Sequence, residues 1–138
     1  MSLLHMLNNP MTLLDLTTIH SALNSCSGSV KHLHEGKPID VSFRFTGKTR
    51  LAIADAVIAL EPKIKAFGEA KKACMSQHGG PWEKDESTPA QAACRAELDA
   101  MLAVEVESPK FALPLSEFID DANPVPSEVI RILRPFLK

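Results

Sequence analysis

Between Lys48 and His78 the apolar residues Ile53, Val57, Leu60, Ile64, Phe67 and Cys74 recur at steps of four and three, with Lys71 as the single break. Such a stripe is a coiled-coil seam held over three heptads, and it constrains the fold more than any other feature. It predicts one long helix whose apolar edge must be covered along its length. Asp55, Lys65, Glu69 and Lys72 fall on the other side, and Glu61 precedes Lys65 by four residues in the favourable order. Upstream of Pro62, Leu51, Ala52, Ala54, Ile58 and Ala59 join the seam, so this half of the helix is expected to be buried on several sides. Pro62 is expected to kink it.

Gly79 stands where a left-handed C-terminal cap belongs, and "HGGPWEKDESTP" (78–89) reads as an acidic loop. A second helix then opens on Thr88 as N-cap, Pro89 at its first position and Gln91 as the partner of a capping box. Its apolar residues Cys94, Leu98, Met101 and Leu102 follow helical spacing. Two helices joined this closely fold back as an antiparallel, coiled-coil-like hairpin over 48–103. In that register Cys74 and Cys94 lie at similar heights from the turn, as neighbouring reduced thiols.

Around the hairpin the pattern predicts smaller elements. Leu16, Ile19 and Leu23 mark a first helix over 13–23, with Thr12 or Asp15 as its cap. Residues 24–38 read as a loop, and Ile39, Val41, Phe43 and Phe45 alternate as a half-buried strand. "VEVESPKFALPLSEF" reads as edge or extended structure, because Pro109 and Pro114 exclude a central strand. Ser116 is placed to cap a short turn. Pro126 or Ser127 opens a last helix that buries Val129, Ile130, Leu133, Phe136 and Leu137 and leaves Arg131 and Arg134 in water. The expected class is mainly α (α+β) in one domain, 1–138, with a short strand pair and terminal amphipathic helices. Residues 1–11 read as disordered or partly vector-derived, with Met6 or Met11 as alternative starts.

The tripeptide Gly47-Lys48-Thr49, between a strand and a helix, imitates a phosphate-binding loop. That loop needs a glycine five residues earlier, where this chain has Ser42, and Phe43, Arg44, Phe45 and Thr46 would obstruct converging amides. The expected role is a turn at Gly47 with Thr46 or Thr49 capping the long helix. His32 and His34 stand two apart and would need a third ligand such as His20, Glu35 or His78, which nothing in the spacing supplies.

Cys26, Cys74 and Cys94 form no CxxC pair, so neither a disulfide framework nor a cysteine-rich zinc site is expected. No metal, cofactor or catalytic residue is therefore expected. A net charge of -2, with six Phe, one Trp and no Tyr, gives neither a basic field nor stacking platforms for nucleic acid. No apolar run reaches membrane-spanning length, and the reduced cysteines suit a cytoplasmic setting.

Several short words recur in order: Phe67, Ala70, Lys71, Lys72 and Gly79; "ELDAMLAVEVE" at 97–107; "LPLSEF" at 113–118; "PSE" at 126–128; "LRPFL" at 133–137. Over residues 45–138 this resembles a family of small proteins encoded by tailed bacteriophages and prophages. The resemblance implies a helical phage product with a small sheet, and it brings no catalytic residues.

The function expected is a noncatalytic accessory protein in a bacterial host, acting by protein–protein contact in virion or tail assembly. Its partner is another protein or a second copy, not nucleic acid or membrane. Ile53, Val57, Leu60, Ile64, Phe67 and Trp82 are the candidate seam for that contact. The alternatives are a small enzyme using Cys94 or a His32/His34 site, and an acidic regulator presenting Glu83, Asp85, Glu86, Asp120 and Asp121 to a protein.

Overall fold

The computed structural model describes residues 10–27, 29–84 and 87–138, with backbone alone for 29–34 and 41. The elements in chain order are β1 (Met11–Thr12), α1 (Leu13–Ser25), β2 (Ser29–His34), β3 (Lys37–Ser42), α2 (Gly47–Gln77), α3 (Pro89–Leu102), β4 (Glu105–Val106), α4 (Leu115–Phe118) and α5 (Ser127–Leu133). A 3₁₀ turn, Arg134–Phe136, follows α5. The class is mainly α, with the long helix α2 packed against α1 and α3 and small antiparallel strand pairs beside them.

Two compact units share the chain. The first holds the described residues through Thr17 together with Pro62–Ser108; the second holds Thr18–Glu61 and Pro109–Lys138. The division passes through α2 at Pro62, and the helix runs through that proline to Gln77.

Local chemistry explains where the helices begin and end. Thr12 and Asp15 form a reciprocal cap on α1: the Asp15 amide donates to Thr12 Oγ1 at 3.3 Å and the Thr12 amide donates to Asp15 Oδ2 at 3.0 Å. Helix α2 ends in a Schellman turn. Gly79 sits at φ +88°, its amide donates to the Ser76 carbonyl, and the Gly80 amide donates to the Met75 carbonyl at 2.7 Å. The Gln91 amide donates to Thr88 Oγ1 at 3.2 Å, as the expected N-cap requires. Buried Gln91 also sends its Nε2 to the Lys84 carbonyl at 2.8 Å, tying the loop to the helix.

In the second unit the core gathers Leu23, Leu113, Phe118 and Leu133, each 2% exposed or less, with Phe43 and Phe45. The Phe45 and Phe118 rings lie 4.9 Å apart and tilted, a favourable aromatic arrangement. Leu113 bridges to Leu137 in parallel, and the amides of Leu113 and Leu115 donate to the carbonyls of Phe136 and Lys138. Pro114, which has no amide to give, falls between these two donors. In α5 and beyond, Val129, Leu133, Phe136 and Leu137 are buried and Ile130 is half-buried, while Arg131 and Arg134 face water.

Several local expectations are corrected. The expected loop at 24–38 contains β2, paired with β3 from Ser29↔Ser42 to His34↔Lys37. Glu35 at φ 52° and Gly36 at φ 78° form its two-residue turn, with both central residues left-handed as a tight hairpin demands. The strand foreseen at 39–45 pairs only to Ser42; Phe43 and Phe45 are buried from the extended segment after it, and Ile39 is 42% exposed.

Helix α2 is not buried on several sides before Pro62. Thr49, Ile53, Ala56 and Leu60 form its single buried stripe, while Leu51 and Ile58 are 64% and 63% exposed. A residue cluster that is apolar all round needs neighbours all round, and the described residues cover one face. At the smaller elements, Pro114 rather than Ser116 stands at the N-cap of α4, and Val104 is 54% exposed.

Candidate functional site

Within the first unit, the last turns of α2 and the first turns of α3 bring four chemically active side chains together. Cys74 lies in the last turn of α2 and His78 is the first residue beyond its end, where its amide still donates to the Cys74 carbonyl at 3.2 Å. Cys94 and Glu97 stand three apart on α3, so their side chains rise from one helix face. Cys74 Sγ lies 3.4 Å from Cys94 Sγ and donates to Glu97 Oε2 at 3.1 Å. His78 Nε2 lies 3.2 Å from Glu97 Oε1. The ligand atoms of Cys74, His78 and Glu97 all fall within 4.8 Å of one another. Both cysteines are buried and reduced, as the hairpin register predicts, whereas His78 and Glu97 reach water.

This environment sets the protonation of the pair. The bond to the Glu97 carboxylate, followed by burial and the neighbouring Cys94, pushes the Cys74 thiol up to about 12. Glu97 is held below the usual carboxylate range, first by the Cys74 thiol and then by His78. At neutral pH Cys74 is therefore a protonated hydrogen-bond donor and a poor nucleophile. Cys26, in the second unit, is a buried thiol that donates to the Ala22 carbonyl at 3.3 Å, and burial pushes it up to about 12 as well.

The start of α2 answers the resemblance to a phosphate loop. Thr46 is the cap: its Oγ1 accepts from the Thr49 amide at 3.3 Å, with Gly47, Lys48 and Thr49 as the first three helical residues. An anion does sit at this helix N-terminus, and it is the protein's own Glu117. Its Oε1 accepts from the Thr46 amide at 2.7 Å, and its Oε2 accepts from the Thr49 and Thr46 hydroxyls. The carboxylate takes the position that the helix dipole offers to a negative charge.

Buried Asn123 completes the arrangement. Its Oδ1 accepts from the Arg44 amide and its Nδ2 donates to the Glu117 carbonyl, both at 2.9 Å.

The Thr49 hydroxyl, then the Thr46 amide and hydroxyl, hold Glu117 below the usual carboxylate range against the opposing effect of desolvation. A depressed folded pKa means that this stabilisation is complete above the unfolded value of about 4.3 and is lost as pH falls through the folded one. Glu117→Gln is therefore expected to unfold at lower urea than the parent at pH 7. The difference between the two should shrink progressively below about pH 4. Parallel urea titrations check this; a gap that persists undiminished in acid would remove Glu117 from the cap.

No protein-family model, curated protein or solved structure matches this chain. The assignment of a function therefore rests on the geometry of its own residues.

Of the expected contact seam, Ile53 and Leu60 are covered by the core of their own unit, whereas Val57, Ile64, Phe67 and Trp82 are half-buried. In the second unit a cleft of about 510 Å³ opens beside α2, lined among others by Phe43, Phe45, Arg50, Val57 and Ile58. His32 and His34 lie on β2, with their side chains outside the described residues. Among their expected partners, His20 Nδ1 lies 3.3 Å from Asn24 Nδ2, and His78 belongs to the cysteine cluster. Of the acidic candidates, Glu83, Asp120 and Asp121 are exposed, and Asp85 and Glu86 fall outside the described residues.

At the hairpin's end Cys74, His78 and Glu97 form a group that could hold a metal ion, a combination that the sequence reading did not name. The missed signal is a pair of helical spacings, Cys-x3-His followed by Cys-x2-Glu. Neither half resembles a zinc ribbon, and each becomes meaningful only once two helices present their faces to each other. Among the described residues, no helix is long and apolar enough to cross a membrane.

Proposed function

We propose that this chain is a noncatalytic protein that works through protein–protein contact, and that its contact is with a second copy of itself. The observation that carries the reading is the pair Leu51 and Ile58 on α2, 64% and 63% exposed and seven residues apart. Seven residues return a helix to nearly the same face, so the two side chains form one ridge. Ala54, small and exposed, lies between them and permits close approach of another helix. When two copies meet antiparallel about a two-fold axis, Leu51 of one stands opposite Ile58 of the other, and the reverse holds by symmetry. The neighbouring cleft, with its two phenylalanines, offers each ridge an apolar recess.

The protonated state of Cys74 supports the noncatalytic part of the reading, because a thiol held near 12 supplies little thiolate. The setting we assign is a phage or prophage product serving virion or tail assembly. It rests on the sequence resemblance over residues 45–138.

Light scattering after size exclusion tests the contact. The parent chain is expected to elute as a dimer at micromolar concentrations, and the double variant Leu51→Glu, Ile58→Glu as a folded monomer. Both sites are exposed, so the fold should tolerate the change within about 0.5 kcal/mol each. A parent chain that stays monomeric at every concentration reached would refute self-association.

A further inference from the structure

We infer that Cys74, His78, Cys94 and Glu97 form a structural zinc site that clamps the end of α2 to the start of α3. The inference is independent of the contact surface proposed above, since it concerns other residues in the other unit.

Geometry carries it. In a tetrahedral zinc site the Zn–S bonds are about 2.3 Å and the Zn–N and Zn–O bonds about 2.0–2.1 Å, which sets ligand atoms roughly 3.3–3.8 Å apart. The separations found are 3.4 Å between the sulfurs, 3.1 Å from Cys74 Sγ to Glu97 Oε2 and 3.2 Å from His78 Nε2 to Glu97 Oε1. A shift of a few tenths of an ångström brings these three edges to the lengths an ion requires. The ligand atoms of Cys74, His78 and Glu97 all lie within 4.8 Å of one another, and Cys94 joins them through its sulfur beside Cys74. Two ligands come from the end of α2, Cys74 in its last turn and His78 just beyond it, and two from one face of α3, Cys94 and Glu97 at i and i+3.

The chemistry selects the ion. Two thiolates, one imidazole and one carboxylate form a mixed soft and borderline set, and a tetrahedral arrangement of that kind suits Zn²⁺ over Mg²⁺ or Ca²⁺, which prefer more numerous oxygen ligands. As the ion binds, Cys74 and Cys94 each form a Zn–S bond and release one proton to water. Four protein ligands leave no open coordination position, so the site holds structure and does not activate water. Access comes through His78 and Glu97, whose side chains are 22% and 53% exposed, while the sulfurs stay buried.

The test titrates fully reduced protein with Zn²⁺ by calorimetry, and with Co²⁺ by absorption. The full chain is expected to take one equivalent of Zn²⁺. With Co²⁺ it should show thiolate-to-cobalt charge transfer and the visible bands of a tetrahedral ion. Trp82, the single tryptophan, lies in a groove it shares with Cys94 and should report binding by a change in fluorescence.

His78→Gln alters a partly exposed ligand without disturbing the core, and it should weaken Zn²⁺ binding at least as much as loss of an outer-shell partner does, about 10–100-fold. Cys94→Ser should weaken it further and abolish the charge-transfer band, whereas Cys26→Ser should leave binding unchanged. Circular dichroism of each variant confirms that it is folded.

No saturable uptake by the reduced chain would overturn the inference. Uptake unaffected by His78→Gln and Cys94→Ser would do so equally. A chain that takes no Zn²⁺ but joins Cys74 to Cys94 when exposed to glutathione disulfide would reassign the pair to redox chemistry and overturn the metal site.

Discussion

Phe118→Ala is expected to lower unfolding stability by about 3–5 kcal/mol, the range for removing a large aromatic side chain from a core. The ring is 1% exposed, packs 4.9 Å from Phe45 and sits on a helix of only four residues, Leu115–Phe118. A helix that short has no stability of its own, so its ring is what holds it in the second unit. Domains of this size are stable by roughly 5–15 kcal/mol, and the loss would therefore consume about a fifth or more of the total. Urea unfolding followed by circular dichroism measures it. A loss under about 1 kcal/mol would show that the α4 ring is not the anchor its burial implies.

The second large effect is expected at Asn123. Asn123→Ala removes the acceptor of the Arg44 amide and the donor to the Glu117 carbonyl in one step. Each backbone group left without a partner costs about 1–3 kcal/mol where water cannot reach it. Both bonds are only part-buried, so a loss of about 2–4 kcal/mol, the lower part of the summed range, is expected. Because Asn123 holds the Glu117 backbone while the Glu117 carboxylate caps α2, the two positions should be coupled. The double variant Asn123→Ala, Glu117→Gln is expected to lose less than the sum of the two singles. Strict additivity in a double-mutant cycle would show that they act independently.

The helical elements were legible because their signals are local. The heptad stripe of α2, the αL glycine at Gly79, the Thr88-Pro89 start of α3 and the apolar face of α5 each depend on residues within a few positions of one another. Gly47-Lys48-Thr49 is legible for the same reason: Thr46 and Thr49 are a cap and its third residue, whatever happens elsewhere in the chain.

The β2–β3 hairpin was harder to see. Its turn is Glu-Gly rather than the Asn-Gly or Asp-Gly that marks the type most strongly, and β2 has no clean alternation. The apolar excess before Pro62 was read correctly as residues and wrongly as burial. Composition counts apolar side chains, and the number of neighbours that cover them is a tertiary fact.

The amino-acid order by itself determined the longer helices, the caps of α1 and α3 and the closeness of Cys74 and Cys94, since backbone geometry and a short connection leave little choice. Only the tertiary structure decided that Glu117, 71 residues from Thr46, supplies the anion at the start of α2. It likewise decided that Cys74, His78 and Glu97 converge with Cys94 beside Cys74, and that Leu51 and Ile58 remain in water. Such pairings join positions distant in the chain, and no periodicity encodes which side chain will arrive opposite another.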